Sequence, residues 1–124
     1  MKQMNSLKQH DLSRSKYALS RAKGNIGEDK AASFLEERGF KIIDRNYYSR
    51  FGEIDIIATK EEILHFIEVK SGDYNPIYQI TPSKLSKIIK TANIYMQKKR
   101  VDLDYCFDAV IVSEDIELIE NITF

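Results

Sequence analysis

Two acidic residues and a lysine fall on neighbouring strands of a predicted β-hairpin. Asp55 lies on the first strand, and Glu68 and Lys70 lie on the second. Folding the hairpin about its turn brings Asp55 opposite Ile67 or Glu68, among apolar side chains. Burying such carboxylates is costly unless a metal, a proton or a partner group compensates their charge. This pattern predicts a functional site in which another group compensates the charge of the carboxylates.

A third acid, Glu28, heads an apolar stripe with helical spacing. Ala31, Ala32 and Leu35 follow it at the i+3, i+4 and i+7 positions, so we expect Glu28 to face the sheet. The same residue also suits a helix-capping role, since Asn25 stands three positions before it. The pattern leaves both roles open.

These acids together form a set of oxygen ligands suited to a hard cation. We expect the carboxylates of Glu28, Asp55 and Glu68, with the backbone carbonyl of Val69, to hold Mg²⁺ or Mn²⁺. Such an ion lowers the pKa of a bound water and neutralises charge on a phosphoryl group, and Lys70 can orient or activate the attacking water. Phosphodiester hydrolysis, with Asp55, Glu68 and Lys70 as catalytic residues, is therefore the predicted chemistry.

The elements that must position this set follow from periodicity and turn residues. We predict helices at 25–38, ended by Gly39, and at 83–99, with a loop at 71–83. The predicted strands are 40–47, 52–58, 63–70, 105–112 and an edge strand at 116–124, and residues 45–50 extend the first into a basic, aromatic connection. This order predicts a mixed sheet flanked by helices, an α/β layered domain. On the strand at 105–112 nothing else converges on Asp108, so we interpret it as a structural acid or one that supports the ligands.

Basic residues outside the hairpin suggest a polyanion as partner. From Lys84 to Arg100 there are six basic residues and no acidic one. A charge of one sign favours a surface that tracks phosphates, with Lys84 and Lys87 as contacts, over an ordinary solvated face. Arg45 and Arg50 adjoin tyrosines and can also hold nucleic acid, although a plain surface turn is the more common outcome for such a segment.

Composition sets the limits of the interpretation. The 124 residues suit one domain, and a single cysteine, Cys106, indicates a reducing compartment. His10 and His65 are far apart and cannot form a zinc site with one cysteine alone. Because no apolar run is long enough for a bilayer and no signal peptide is visible, we expect a cytoplasmic protein that makes no membrane contact.

The charge is divided unevenly along the chain. Residues 1–23 carry a net charge of +5 and the remainder carries −5. We expect residues 1–23 to form a poorly ordered basic arm and residues 24–124 to form the α/β domain. Basic arms often touch nucleic acid, but a solvated tail is the more common outcome.

In this sequence an acid is followed by Asp55, then by twelve residues, and then by the triplet Glu68-Val69-Lys70. This order resembles that of the PD-(D/E)xK nuclease superfamily. More closely, it resembles the bacterial YraN family of uncharacterised endonuclease-like proteins over about residues 20–115. The blocks that carry this resemblance are Gly27-Glu28, Gly39-Phe40, Arg45-Asn46-Tyr47, the sequence GEIDII at 52–57, the sequence FIEVK at 66–70, Lys84 and Phe107-Asp108. The resemblance implies a restriction-endonuclease-like three-layer core, metal roles for Glu28, Asp55 and Glu68, and a catalytic role for Lys70.

Three functions compete at this point. The first is a Mg²⁺-dependent endonuclease acting on DNA, with structured or branched DNA as the substrate suggested by resolvase-like members of the superfamily. The second is a nucleic-acid-binding module with a vestigial nuclease site, and the third is an interaction domain in which Asp55, Glu68 and Lys70 are a structural ion cluster. By analogy with the resolvases, which work as dimers, the apolar C-terminal segment is a candidate for pairing in a homodimer.

Overall fold

The computed structural model describes residues 26–72 and 80–123. The basic arm, the Asn25 cap, most of the loop predicted at 71–83 and the final Phe124 lie outside these residues. Across the two described ranges, no helix combines the length and the apolar character that crossing a membrane requires.

Two helices and five strands make up the described residues. Residues 26–37 form helix α1, and α2 spans Pro82–Lys99. The strands are β1 Lys41–Ser49, β2 Gly52–Lys60, β3 Ile63–Ser71, β4 Asp104–Val112 and β5 Ile116–Ile119. The predicted order is confirmed, with two differences. β1 extends through Ser49, so the expected connection shrinks to Arg50 and Phe51, and the last strand ends at Ile119.

The strands lie side by side in chain order. β1 pairs with β2, β2 with β3, and β4 with β5, all antiparallel, whereas β3 and β4 are parallel. A parallel pair needs a crossover connection, and α2 lies in the segment that joins these two strands. The α/β class and the mixed sheet are therefore confirmed, and the arrangement is consistent with a restriction-endonuclease-like core.

The helices cover opposite faces of the sheet. One apolar cluster joins α1 to the sheet, and Ala31, Ala32 and Leu35 belong to it, as the stripe after Glu28 predicts. The other cluster joins α2 to the opposite face through Ile88, Ala92 and Tyr95. Three layers result, and the acid that heads the first stripe is carried on the α1 side.

Both helices have chemically specified ends. Past α1, Gly39 adopts φ 90°, and the N–H groups of Phe40 and Gly39 donate to the carbonyls of Leu35 and Glu36. This is the paired hydrogen-bond pattern that glycine permits at a helix C-terminus. At the start of α2, the Thr81 side chain accepts from the Lys84 N–H, and proline follows the cap. The helices therefore begin and end where the sequence dictates.

A tight turn fixes how β2 and β3 align. Glu61 and Glu62 both have positive φ, 52° and 65°, as two-residue hairpins of the primed type require. The resulting register pairs Ile56 with Ile67, and regular pairing ends there. Continuing that register by one step places Asp55 next to Glu68, the second of the two positions that the sequence allowed.

The prediction that side chains alternate strictly between the two faces along β2, however, is wrong. The sequence pattern puts Ile54 and Ile56 on one face, whereas Ile54 and Ile57 lie in the α2-side cluster and Ile56 lies in the α1-side cluster. The two residues that separate Ile54 from Ile57 include Asp55, at the point where β2 leaves β3. Opposite this point on β1, Asn46 has φ 53°. The sheet is irregular at the acid predicted to do chemistry, as strands often are near functional sites.

Candidate metal centre

Asp55 fills the gap that opens where β2 and β3 part. Its Oδ2 accepts the backbone N–H of Val69 at 2.8 Å, so the carboxylate takes the place of a strand carbonyl. Burial, together with hydrogen bonding to Glu68 and repulsion from it, raises the pKa of Asp55 to about 8. The Val69 N–H and the charge of Lys70 lower this pKa, but not enough to offset the other effects. Burial and the neighbouring Glu68 therefore oppose ionisation of Asp55.

Two further acids converge on Asp55 from the α1 side. One carboxylate oxygen each from Glu28, Glu53 and Asp55 lie within 4.8 Å of one another. Burial raises the pKa of both glutamates above the ordinary value, and the negative charge of Asp55 adds to the rise. Three acids thus share a space small enough that ionising one opposes ionising the next.

Asn46 holds the two glutamates in place. Its Nδ2 donates to both carboxylate oxygens of Glu28, at 3.1 Å and 3.0 Å, and to Glu53 Oε1 at 2.6 Å. The left-handed backbone of Asn46 aims the side chain at these acids, and asparagine tolerates that conformation better than most residues. One amide on β1 therefore links α1 to β2.

Arg45 supplies the guanidinium nearest this cluster among the described residues. Its Nη2 lies 2.7 Å from Asp29 Oδ1 and 3.7 Å from Glu28 Oε2. The charge of Arg45 lowers the pKa of Glu28 but does not reverse the rise caused by burial. Arg45 was predicted to bind nucleic acid, and the structure places it against the acids of α1.

The predicted ligands and catalytic residues are largely brought together. Glu68 and Lys70 both act on Asp55, and Glu28 joins from α1. The contact described for Val69 is through its N–H, so its carbonyl role stays a prediction. The capping role of Glu28 stays a prediction, because Asn25 lies outside the described residues. The Glu28 carboxylate accepts from Asn46.

The sequence analysis missed two members of the cluster, Glu53 and Asn46. For Glu53 a signal was available, because it stands two residues before Asp55 and shares its strand face by alternation. Asn46 was visible only as part of a basic, aromatic connection.

The basic residues lie on other surfaces. Lys84 and Lys87 are exposed on α2, which covers the face of the sheet opposite α1. Arg50 is exposed in the β1–β2 turn, with its guanidinium 4.8 Å from the centre of the Phe51 ring. A groove of about 410 Å³ separates this turn from α2, and Tyr48 on its rim is 68% exposed. Arg50 and Lys98 also line this groove.

Asp108 belongs to a second polar cluster. His65 Nδ1 lies 2.5 Å from Asp108 Oδ2, and the Asn121 N–H donates to Asp108 Oδ1 at 2.8 Å. The expectation that nothing else on its own strand converges on Asp108 is wrong, because Cys106 Sγ lies 3.7 Å from both Asp108 oxygens, and parallel pairing sets His65 beside Cys106. The interpretation of Asp108 as a structural acid, or one that supports the ligands, stays a prediction. Burial and the charge of Asp108 raise the pKa of the Cys106 thiol to about 12.

Comparison with known proteins identifies the family. The chain is 57% identical to a UPF0102 protein of Sulfurimonas denitrificans over 108 residues, which cover 85% of this chain and 99% of the relative. It is 56% identical to one of Helicobacter pylori strain HPAG1, covering 84% and 93%, and 55% identical to one of Wolinella succinogenes, covering 85% and 99%. Neither these names nor the family description states an activity. Because the model of the uncharacterised protein family UPF0102 matches residues 27–112, the chain belongs to the UPF0102 family.

Proposed function

We propose that this protein is a nuclease that uses a divalent cation to hydrolyse phosphodiester bonds in DNA. The observation that carries the proposal is the convergence of Glu28, Glu53 and Asp55 within 4.8 Å, with Glu68 and Lys70 beside Asp55. Such a set suits the chemistry of phosphate esters, because a bound ion and the lysine can offset the negative charge of the reacting group.

The residues present fit a hard cation. Mg²⁺ and Mn²⁺ prefer carboxylate oxygens and keep several waters, and Glu28, Glu53 and Asp55 each offer one carboxylate oxygen within 4.8 Å of the others. Without a cation, the pKa of Asp55 near 8 reflects burial and crowding beside Glu68. A doubly positive ion offsets both the cost of burying the ionised carboxylate and its repulsion from Glu68. Asn46 supports the fit, because it fixes Glu28 and Glu53 without adding charge.

When bound, the ion supplies Lewis-acid stabilisation of the phosphate and a water of lowered pKa. The chain's own residues do the positioning. The Val69 N–H fixes one oxygen of Asp55, so its other oxygen is free to turn towards Glu28 and Glu53. Lys70 Nζ, whose charge acts on Asp55, is suited to orient a water towards phosphorus and to stabilise the negative charge that develops there.

DNA is the proposed substrate because α2 and the β1–β2 turn carry exposed basic residues. Lys84, Lys87 and Lys90 face solvent on α2, and Arg50 lies at the turn and lines the groove. Phosphates gain most of their affinity from such contacts, and Tyr48 adds an exposed ring on which a splayed base can stack. An irregular duplex, such as a branched one, presents unstacked bases to this rim.

The test is cleavage by the purified protein. Labelled single-stranded, duplex and four-way-junction DNA are incubated with Mg²⁺ or Mn²⁺, using wild type, Asp55→Asn and Lys70→Ala. We expect wild-type cleavage that EDTA stops and a loss of at least about 100-fold in either variant. Asp104→Asn, at an exposed acid on β4, is the matched control and retains activity. Cleavage that survives Asp55→Asn, or wild type that cuts none of these substrates, overturns the proposal.

One observation favours the second candidate, a binding module without catalysis. Arg45 already brings a positive charge to 3.7 Å from Glu28, which is part of what a metal would provide. If that ion pair replaces the metal, the protein binds DNA in a salt-dependent manner with equal affinity in EDTA and Mg²⁺, and no strand is cut. Arg45→Gln separates the two, since it raises metal affinity only if Arg45 and the ion compete for Glu28.

A further inference from the structure

Three different ligand types meet on the α1 face of the sheet, away from the carboxylate cluster. His65 lies on β3 and Cys106 and Asp108 lie on β4, with His65 directly beside Cys106 in the parallel register. Glu68 lies three positions after His65, about 10 Å along the strand, so the two groups are distinct. The proposed nuclease chemistry uses none of the three.

The polar atoms of these side chains point at one another. His65 Nδ1 is 2.5 Å from Asp108 Oδ2 and 3.0 Å from Cys106 Sγ, and Sγ is 3.7 Å from both Asp108 oxygens. Asp108 is 1% exposed and the His65 side chain 14% exposed. One nitrogen, one sulfur and one oxygen therefore surround a common point close to the protein interior.

A single ring nitrogen cannot serve both of its neighbours by hydrogen bonds. His65 Nδ1 carries either one proton or one lone pair, yet it faces both Cys106 Sγ and Asp108 Oδ2. A proton directed at Asp108 leaves the Cys106 thiol, within this cluster, only the two long 3.7 Å hydrogen bonds that it donates to the Asp108 oxygens. A cation among the three atoms satisfies all of them, since a neutral imidazole, a thiolate and a carboxylate each direct a lone pair towards it.

Charge balance also favours a doubly positive ion. A thiolate and a carboxylate with one neutral imidazole give a net charge of zero around such an ion, and a neutral group is far less costly to bury than a charged one. The surroundings are apolar: the Phe40 ring packs edge-on against His65 at 4.9 Å, and Ala109 and Val110, which follow Asp108, are fully buried. The Asn121 N–H fixes Asp108 from behind, as supporting groups do around metal ligands.

We propose that His65 Nδ1, Cys106 Sγ and an Asp108 carboxylate oxygen form a binding site for a transition-metal ion of the zinc class, with a water as fourth ligand. Binding forms the metal–sulfur bond and releases one proton from the Cys106 thiol to solvent. Sulfur and nitrogen donors select zinc-class ions, whereas the all-oxygen cluster at Asp55 suits Mg²⁺. The two sites therefore differ in the metal they take.

Cobalt(II) is the direct probe, because a cobalt–thiolate bond gives an ultraviolet charge-transfer band that oxygen ligands do not produce. Metal-free full-length protein is titrated with Co²⁺ and then with Zn²⁺. We expect one thiolate-bound Co²⁺ per chain, and we expect Zn²⁺ to displace it, because Zn²⁺ has no d-electron preference against a tetrahedral site with thiolate and imidazole ligands. The band disappears in Cys106→Ala and persists in Asp55→Asn, which disables only the carboxylate cluster. No band in wild type, or a band equally strong in Cys106→Ala, overturns the proposal.

A second measurement uses only the wild-type protein, so misfolding of a variant cannot confuse it. The single thiol is modified with a soluble disulfide reagent in the presence of EDTA or of equimolar Zn²⁺. Because a metal-bound thiolate is shielded, we expect zinc to slow the reaction at least about tenfold. Mg²⁺ at the same concentration leaves the rate unchanged. Equal rates with Zn²⁺ and EDTA contradict the site.

Discussion

Replacing Asp55 by asparagine tests whether the carboxylate cluster was built for a cation. The pKa of Asp55 is raised from 3.8 to about 8 by burial and by Glu68. A carboxyl group with a raised pKa stabilises the fold fully below its unfolded pKa, and this stabilisation is lost as pH rises from about 4 to about 8. Wild-type protein without metal is therefore expected to become less stable over this window, whereas asparagine, which does not ionise, avoids the loss.

The size of the effect follows from the shift. A change of about four pKa units corresponds to about 5 kcal/mol if all of it appears in folding. Because Asp55 is only partly buried and water and neighbouring side chains relax around the charge, we expect about 2 kcal/mol. Asparagine keeps an oxygen for the Val69 N–H and gains an amide that can donate to Glu68. Asp55→Asn should thus be about 2 kcal/mol more stable than wild type near pH 8 and equally stable near pH 4.

Urea denaturation in EDTA, at both pH values, measures the difference. Saturating Mg²⁺ should restore about 2–3 kcal/mol to wild type and nothing to Asp55→Asn, since a ligand of the native state stabilises by mass action. Asp104→Asn, an exposed acid on β4, controls for a general change in charge. If Asp55→Asn is the less stable protein near pH 8 without metal, Asp55 is an ionised member of a structural network and the metal argument fails.

Three other expectations concern residues that support the cluster, the sheet and the DNA surface. Asn46→Ala removes the donor shared by Glu28 and Glu53 and should lower Mg²⁺ affinity, measured by calorimetry, about tenfold. Asn46→Gly relieves the strain of φ 53°, so it should lose the same affinity but less folding stability than Asn46→Ala. Equal Mg²⁺ affinity in both variants and wild type would remove Asn46 from the site. Thr91→Val leaves the Ser49 hydroxyl without its 2.7 Å partner and should destabilise by about 1–2 kcal/mol in urea, a loss that Ser49→Ala in the same chain should partly reverse. The double variant Lys84→Glu, Lys87→Glu should weaken DNA binding, measured by fluorescence anisotropy, at least about tenfold and should flatten its salt dependence. Lys30→Glu, on the exposed side of α1, should change DNA affinity little. Equal losses of affinity would point to net charge and not to α2.

Local patterns were enough to predict the elements of this fold. The stripe that Ala31, Ala32 and Leu35 form at helical spacing is buried as expected, and Gly39 ends the helix because few other residues adopt its backbone conformation. Alternation located the hairpin, and its length placed Asp55 near Glu68. These features depend on residues close in sequence, so periodicity carries the information.

The rest depends on register and on irregular backbone, which periodicity does not contain. Alternation put Ile54 and Ile56 on one face, because no local signal marks the break at Asp55. Asn46 meets Glu28 only through its left-handed conformation on β1. His65 and Asp108 are separated by 43 positions, and only the parallel pairing of β3 with β4, across the α2 connection, brings them together.

The carboxylate cluster and Lys70 come from one continuous stretch of chain, residues 26–71, which contains α1 and the first three strands. Those strands are joined by short turns, so their contacts form between near neighbours in the sequence and can assemble early during folding. The later part of the chain, α2 with β4 and β5, supplies the second hydrophobic layer and no acid of that cluster among the described residues. Substitutions in α2 can therefore alter its basic surface while the carboxylate cluster and Lys70 stay in place.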